Sequence, residues 1–552
     1  MPQPFTAEQT QFRLEHDRHH EDEHETAEGD EEAHRKASDG DDEAEDQSEG
    51  EQDRAPTGHP VSALGEGGVL FELLLDLTQD ALFILGERHE AIIARFGPIL
   101  NAARRVLRRI WAARSVGVDE YRARPAATSD NTEAMAATFR PFDAEVDTDD
   151  VVRIWHETRW IDSDNEGQRR ALEAFLGGGA AEVGVIDGAA ECLVHRTPGT
   201  IDYDRTTLPA SVISAVTTSH VGRRQRLAST LTTRALARAA ESGAAVGLLG
   251  MFEQGFYDRF GFATGAPMLI ATFDPDSLCV DHVPYRPPVR LGLDDARAMG
   301  DAMRRRLPHH GRVTLDAVDL MAAEWGFIEQ PFALGYREGD RITHFVAGSL
   351  KEENGPFEIQ FCSYETGDQL LELLRLLHEL GDQVHSVEIA EPPHLQLHPL
   401  IEAPNRQRSR SRRGAHETGT RAATWWQLRI LDVPVAASAR RWEGPPVEFD
   451  LVVSDPLEAM LQDAADDVAW TGTGGAYRIC IAEESSGEHI AEAGEDGRQV
   501  LRCSIGSFSR LWFGVQPATS LALAAEVEAP VSLLDQLDAA LLLPRPQPGQ
   551  FF

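Results

Sequence analysis

ISAVTTSHVGRRQRLASTLTTRALARAAESGAAVGLLGMFEQGFYDRFGF, residues 213–262, decides the fold of the chain. Val212–Thr218 is rich in β-branched residues, which suits a strand. Arg223 and Arg224 fall where a turn belongs. Ala228, Leu231, Ala235 and Ala239 then recur at helical spacing, and Gly243 marks the stop. Ala245–Met251 is a second apolar strand, and Tyr257 opens a short helix just beyond it. A strand that feeds a helix through a basic turn presents backbone N–H groups at a helix N-terminus, which is an anion site. The bland alternative is an ordinary βαβ unit with a surface arginine cluster.

Two motifs in this stretch carry a family resemblance. Val216–Ala228 reads V-T-T-S-H-V-G-R-R-Q-R-L-A and aligns without a gap on V-T-V-x-P-x-Y-R-G-R-G-x-G/A, and Phe256–Phe262 reads FYDRFGF against Y-x-R-F-G-Y/F. The segment resembles the acyl-CoA-binding core of the GNAT N-acetyltransferases, and more closely their Eis (enhanced intracellular survival) branch. It departs at Arg226, where the turn's glycine belongs, and at His220, where a proline belongs. Glycine lets a backbone approach a pyrophosphate closely. Arg226 therefore either weakens cofactor binding or supplies a guanidinium in the glycine's place.

The resemblance implies acetyl-CoA as co-substrate, no metal, and a set of roles. Backbone groups of Val216 and Thr218 lie along the pantetheine arm. Arg223, Arg224, Gln225, Arg226, Leu227 and Ala228 hold the pyrophosphate, with Phe252 and Glu253 near the cofactor arm. Tyr257 is the general acid, since a phenol with a pKa of about 10 is protonated at neutral pH; the alternative is a buried tyrosine satisfied by backbone. In the Eis branch the terminal carboxylate enters the active site, which assigns Phe552 as base or amine-positioning group. The tail LLLPRPQPGQFF is stiffened by Pro544, Pro546 and Pro548. A carboxylate with an intrinsic pKa of about 3.5 needs burial to become a useful base. The implied activity is acetyl transfer to a primary amine: a small polyamine, an aminoglycoside-like molecule or a lysine side chain. The alternative is a non-catalytic acyl-CoA-binding or scaffold protein that lost affinity through Arg226. The branch also implies a homo-oligomer.

Composition sets the frame. The chain has 552 residues, 42% hydrophobic content and a net charge of −39, with Lys36 and Lys351 its only lysines. An acidic, lysine-poor surface suits a cytoplasm at molar salt, the signature of an extreme halophile. The same acidity argues against nucleic acid as a partner. Cys192, Cys279, Cys362, Cys480 and Cys503 show no metal or disulfide spacing. No stretch has the length and apolarity of a signal peptide or a membrane span, so a cytoplasmic protein without transmembrane contact is expected.

The expected fold is α/β (α+β): two GNAT-like mixed-sheet modules, then a sterol-carrier-like α+β domain, all preceded by a disordered acidic tail. Residues 1–66 form the tail, whose composition cannot offset chain entropy. Residues 67–116 form a helical extension. Its second helix carries Arg104, Arg105, Arg108, Arg109 and Arg114 beside an apolar face, so residues 99–114 suit a membrane surface or an acidic partner, although a hairpin packed on its own domain is the simpler reading. Residues 117–285 are the first, catalytic module, with an opening strand at VDEYRARP, a helix over TSDNTEAMAATFRPF and PMLIATF (267–273) closing its sheet. Residues 286–422 form a second module. Its amphipathic helix GDQLLELLRLLHELG lacks a basic turn, so it is expected to be catalytically silent. Residues 405–419 are an arginine- and serine-rich loop. Residues 423–552 resemble the sterol-carrier-like module of the Eis branch, with Asp432 and Pro434 at a helix start. That module is expected to be a scaffold before a lipid carrier.

Overall fold

The computed structural model describes residues 137–552, apart from 163, 318, 394, 405–417 and 465–467. The expected acidic tail, the helical extension, the strand at VDEYRARP and most of the arginine-rich loop lie outside the described residues.

Three sheets organise the described chain. The first holds β1 (Thr138–Pro141), β2 (Ala180–Ile186), β3 (Ala189–Tyr203), β4 (Thr206–Thr218) and β5 (Val246–Gly250) in that order. Trp426–Ile430 follows, and β6 (Ala263–Thr264) closes the edge. β1 to β4 run antiparallel, whereas β4 and β5 are parallel. Three helices pack around this sheet: α1 (Ala144–Glu157), α2 (Glu166–Gly177) and α3 (Leu227–Glu241). Leu231, Leu236 and Ala237 of α3 are fully buried, as the helical spacing requires.

Two expectations are corrected here. Thr138–Pro141 was expected inside a helix; it is β1, paired with Glu182–Val185. Pro141 donates no N–H and biases Arg140 towards extended backbone, and Asp143 then caps α1 by accepting from the Glu145 N–H. β7 (Met268–Phe273) was expected to close the first sheet; it lies in the second, between Val387–Ala390 and Gly419–Ala423. The chain leaves the first sheet at Gly265. A Cβ there would stand 2.2 Å from the Trp426 indole, and Trp426 Nε1 donates to the Ala266 carbonyl at 2.9 Å. Trp426 thus takes the space beside β6 and steers the chain away.

The second sheet continues from Val387–Ala390 through Phe357–Ser363, Arg341–Leu350 and Pro331–Glu338 to Val289–Arg290. Its helices include α4 (Ala296–Arg305) and α5 (Leu320–Phe327). The third sheet, centred on Val447–Ser454, packs with helices Val433–Ser438, Ile505–Trp512 and Val531–Ala540. Phe449, Ile479, Phe508, Trp512 and Phe513 fill its interior, in one core with Val246 and Leu248 of β5. Arg429 and Asp455 form a fully buried ion pair at that junction, and Arg429 also donates to the Phe260 carbonyl.

Candidate active site

The site begins as a gap between two parallel strands. β4 and β5 are in register from Ala210/Val246 to Ile213/Leu249, after which no pairing continues. Ala215 takes φ 51°, and the β3–β4 register shifts beside it. The strands therefore diverge, and beyond Ile213 the side of β4 turned away from β3 faces open space instead of a neighbour. Two cavities of about 660 and 610 Å³ occupy the divergence. Val216, Phe252, Tyr257 and Trp160 line both, so the chambers meet there.

The larger chamber is the basic one. It runs from Val216–Thr218 over the turn to the start of α3, and Arg223, Arg224, Arg226, Leu227 and Ala228 line it. Helix α1 holds the turn: Glu157 accepts from the His220 N–H at 2.7 Å, and Gly222 N–H donates to Ser219 Oγ at 3.0 Å. Gly222 is needed, because a Cβ there would stand 2.9 Å from the Glu191 carbonyl oxygen. Arg226 adopts φ 63°, the left-handed region that glycine enters without strain, and provides no side-chain cap to α3. The first amides of α3 thus remain available. Arg223, Arg224 and Arg226 are exposed and make no hydrogen bond or ion pair among the described residues. Gln225 does not line the chamber; its amide donates to the Val221 carbonyl at 2.9 Å.

At the junction, Tyr257 packs edge-on against Phe256 at 4.9 Å. Burial pushes its phenol up to about 12. The hydroxyl is therefore protonated throughout the neutral range and can only donate a proton there. It has no hydrogen-bond partner among the described residues. Phe252 and Glu253 stand at the same opening, Phe252 almost wholly exposed.

The smaller chamber is apolar. Trp155, Trp160, Phe175, Phe327, Trp425 and Phe551 wall it, and Phe552 completes it. The tail is threaded into place. His309 Nε2 meets the Gln547 carbonyl at 3.1 Å, Arg306 donates to the Pro548 carbonyl at 3.1 Å, and Val313 N–H donates to the same carbonyl at 3.0 Å. Phe552 packs edge-on against Trp425 at 4.9 Å, and a Cβ at Gly250 would stand 2.7 Å from the Phe552 oxygen. Gly250, the last residue of β5, thus admits the end of the tail.

Sequence reasoning missed the walls. Trp155, Phe175, Phe327 and Trp425 come from four separated elements, and no local spacing announces them. Arg259, whose guanidinium lies 4.1 Å over the Phe256 ring and which lines the basic chamber, was within reach because it belongs to FYDRFGF. Glu324 of α5 was also missed; it lines the apolar chamber, and burial pushes its carboxyl up to about 7.

Residues 144–265 match the acetyltransferase (GNAT) domain. The first module is a GNAT acetyltransferase domain. It makes the chain an N-acetyltransferase, and GNAT acetyltransferases use acetyl-CoA. Residues 433–548 match the sterol carrier protein domain. No curated protein matches the chain. Similar solved structures include a probable N-acyltransferase from Enterococcus faecalis V583 (TM-score 0.60, 15% identity) and a GCN5-related N-acetyltransferase from Kribbella flavida (0.57, 20%). Eis1 from Mycobacterium abscessus is also similar (0.55, 16%). Each match covers 76% of this chain and 100% of the other, and at these identities the likeness is one of fold. No helix among the described residues is long and apolar enough to cross a membrane.

Proposed function

We propose that the chain transfers the acetyl group of acetyl-CoA to a primary amine, with the basic chamber taking the cofactor and the apolar chamber the amine. One observation carries the reading. Three exposed arginines, unpaired among the described residues of a chain with net charge −39, ring an uncapped helix N-terminus at one end of a groove whose other end is Tyr257. Acidic partners are abundant in such a chain, so arginines left unpaired beside free amides fit a polyanionic ligand.

Arg223, Arg224, Arg226 and the amides of Leu227 and Ala228 would hold the pyrophosphate, while the backbone of Val216 and Thr218 would receive the pantetheine arm. Bound acetyl-CoA supplies an activated acyl carbon as a thioester. The amine must reach that carbon as a free base. We assign proton acceptance from the ammonium to the carboxylate of Phe552, set over Gly250 in the apolar chamber. The amine nitrogen then forms the new C–N bond, the C–S bond breaks, Tyr257 Oη gives its proton to the departing sulfur, and the second proton lost by the nitrogen restores the phenol. Carbonyl polarisation falls to the backbone of Val216 and Thr218 on the side of β4 turned away from β3.

The reading as a scaffold without cofactor affinity is less well supported, because Arg226 keeps the left-handed φ of the glycine it replaces. A thermal-shift titration with acetyl-CoA in molar KCl, paired with thiol release upon addition of primary amines, tests both. A melting shift with amine-dependent thiol release is expected. No shift at millimolar acetyl-CoA would return the chain to the scaffold reading.

A further inference from the structure

We propose that Glu324, a residue of the second module, is the ammonium-recognising group of the apolar chamber, and that the acceptor is a primary amine carried on an apolar body. This rests on the proposed acetyl transfer and names its substrate class.

Helix α5 reaches the first module through two close contacts. Gly326 lacks the Cβ that would stand 2.5 Å from Ala171 Cβ of α2, and Leu320 packs where a Cβ on Gly178 would clash at 2.6 Å. Close packing of α5 on α2 brings Glu324 to the chamber wall. Its carboxylate makes no hydrogen bond or ion pair among the described residues. An ionised carboxylate left unpaired among aromatic rings is costly, and one remedy is a cationic ligand.

The charged and titratable neighbours do not meet that need. Arg304 and Arg306 flank Glu324 through a small adjoining cavity, but Arg304 donates to the Asp316 carbonyl and Arg306 to the carbonyls of Met303, Val313 and Pro548. His195, behind Ser214, is pushed down to about 4 by burial and stays neutral. Tyr257 is protonated, and the Phe552 carboxylate adds a second negative group. The chamber therefore offers anionic groups within aromatic walls. Aromatic faces attract a cation and bury apolar surface. They offer little to the many hydroxyls and ammonium groups of an aminoglycoside or a polyamine, which would be desolvated without partners.

The test uses calorimetry on the full chain in molar KCl, without acetyl-CoA, with 2-phenylethylamine, 2-phenylethanol and spermidine as probes. 2-Phenylethylamine is expected to bind at least about 10-fold tighter than either of the others. Glu324→Gln should weaken it by about 10- to 100-fold, the range for a lost charge-assisted bond, while acetyl-CoA affinity stays unchanged. Because burial pushes the carboxyl up to about 7, 2-phenylethylamine affinity should rise between pH 6 and pH 8 in the parent and stay flat in Glu324→Gln. Spermidine binding as tight as 2-phenylethylamine, or a Glu324→Gln protein with parental affinity, overturns the proposal. Should Glu324→Gln fail to fold, the parent's pH profile decides, and a flat profile overturns it. Binding and turnover separate the two readings. Amines that bind through Glu324 without being acetylated sink acetyl transfer alone; amines that are acetylated equally by Glu324→Gln sink this proposal alone.

Discussion

The first and second sheets contain the same βαβ unit, and only one of them is equipped for a phosphate. In the first, β4 and β5 are parallel and joined through Ser219–Arg226 and α3. In the second, Phe357–Ser363 and Val387–Ala390 are parallel and joined through Tyr364–Thr366 and helix Gly367–His378. The second helix is closed by its own side chain, since Thr366 accepts from the Gln369 N–H. Its turn carries Glu365, which is engaged by Arg305 and Arg341. The first helix has no such cap, and its turn carries arginines without partners among the described residues. Even the clefts differ: tail residues Gln547–Phe551 lie beside Ile359, Cys362 and Ile389, whereas the cleft of the first unit opens into two large chambers. Topology is thus shared, and turn length, charge and capping assign the chemistry.

The largest effect should separate the two tyrosines that follow this comparison. Tyr257→Phe keeps the ring and removes the proton, so turnover should fall by about 10²–10⁴-fold at unchanged acetyl-CoA affinity. Tyr364→Phe, in the turn that leads into the second unit's helix, should leave turnover within about 2-fold. Steady-state kinetics with thiol detection checks both, and equal activity of Tyr257→Phe and parent returns Tyr257 to a packing role.

Next come the arginines. Replacing Arg223 and Arg224 together with Ala removes two charge-assisted contacts, worth about 1.5–3 kcal/mol each. Acetyl-CoA affinity should fall at least about 10²-fold by calorimetry. The paired change Arg305→Ala and Arg341→Ala in the second unit should leave it unaltered. Parental affinity in the first double variant would erase the distinction between the turns.

The tail gives a smaller, more specific effect. Gly311 sits at φ 85°, and a Cβ there would meet Gln547 N at 2.5 Å and Pro546 Cα at 2.7 Å. Gly311→Ala should displace the tail and cut turnover about 10-fold, with acetyl-CoA binding kept, because the turn lies on another element. Extending the chain beyond Phe552 by a few residues should act the same way. Full activity in both proteins would remove Phe552 from the mechanism.

These differences also explain what could be read from sequence. The turn, α3, β5 and FYDRFGF are contiguous, so periodicity and spacing expose them. The chain's departure from the first sheet at Gly265 was illegible because it depends on Trp426, far along the chain, filling the space beside β6. The same holds for the acceptor chamber: Phe175, Glu324 and Trp425 meet only after three sheets have packed. Glu324 sits in LMAAEWGF, an apolar helix where a lone glutamate looks like an ordinary surface position. The expectation of a silent second module followed from its missing basic turn, a local feature, whereas its contact with the chamber is tertiary.

Arg226→Gly is the finest probe of the contrast between the turns, because stability and affinity should move in opposite directions. At φ 63° an arginine bears left-handed strain of about 1–2 kcal/mol. Glycine removes that strain but costs about 0.5–1 kcal/mol through the greater freedom of the unfolded chain. The net should be a stabilisation of about 0.5–1 kcal/mol, read as a small rise in melting temperature without ligand. If Arg226 has taken over a phosphate contact, as its exposed guanidinium in the basic chamber suggests, acetyl-CoA affinity should fall several-fold in the same protein. A rise in both stability and affinity would mean that the arginine only obstructs the turn. A loss of stability would mean that its side chain, not its backbone, holds the turn in place, and the strain argument would fail.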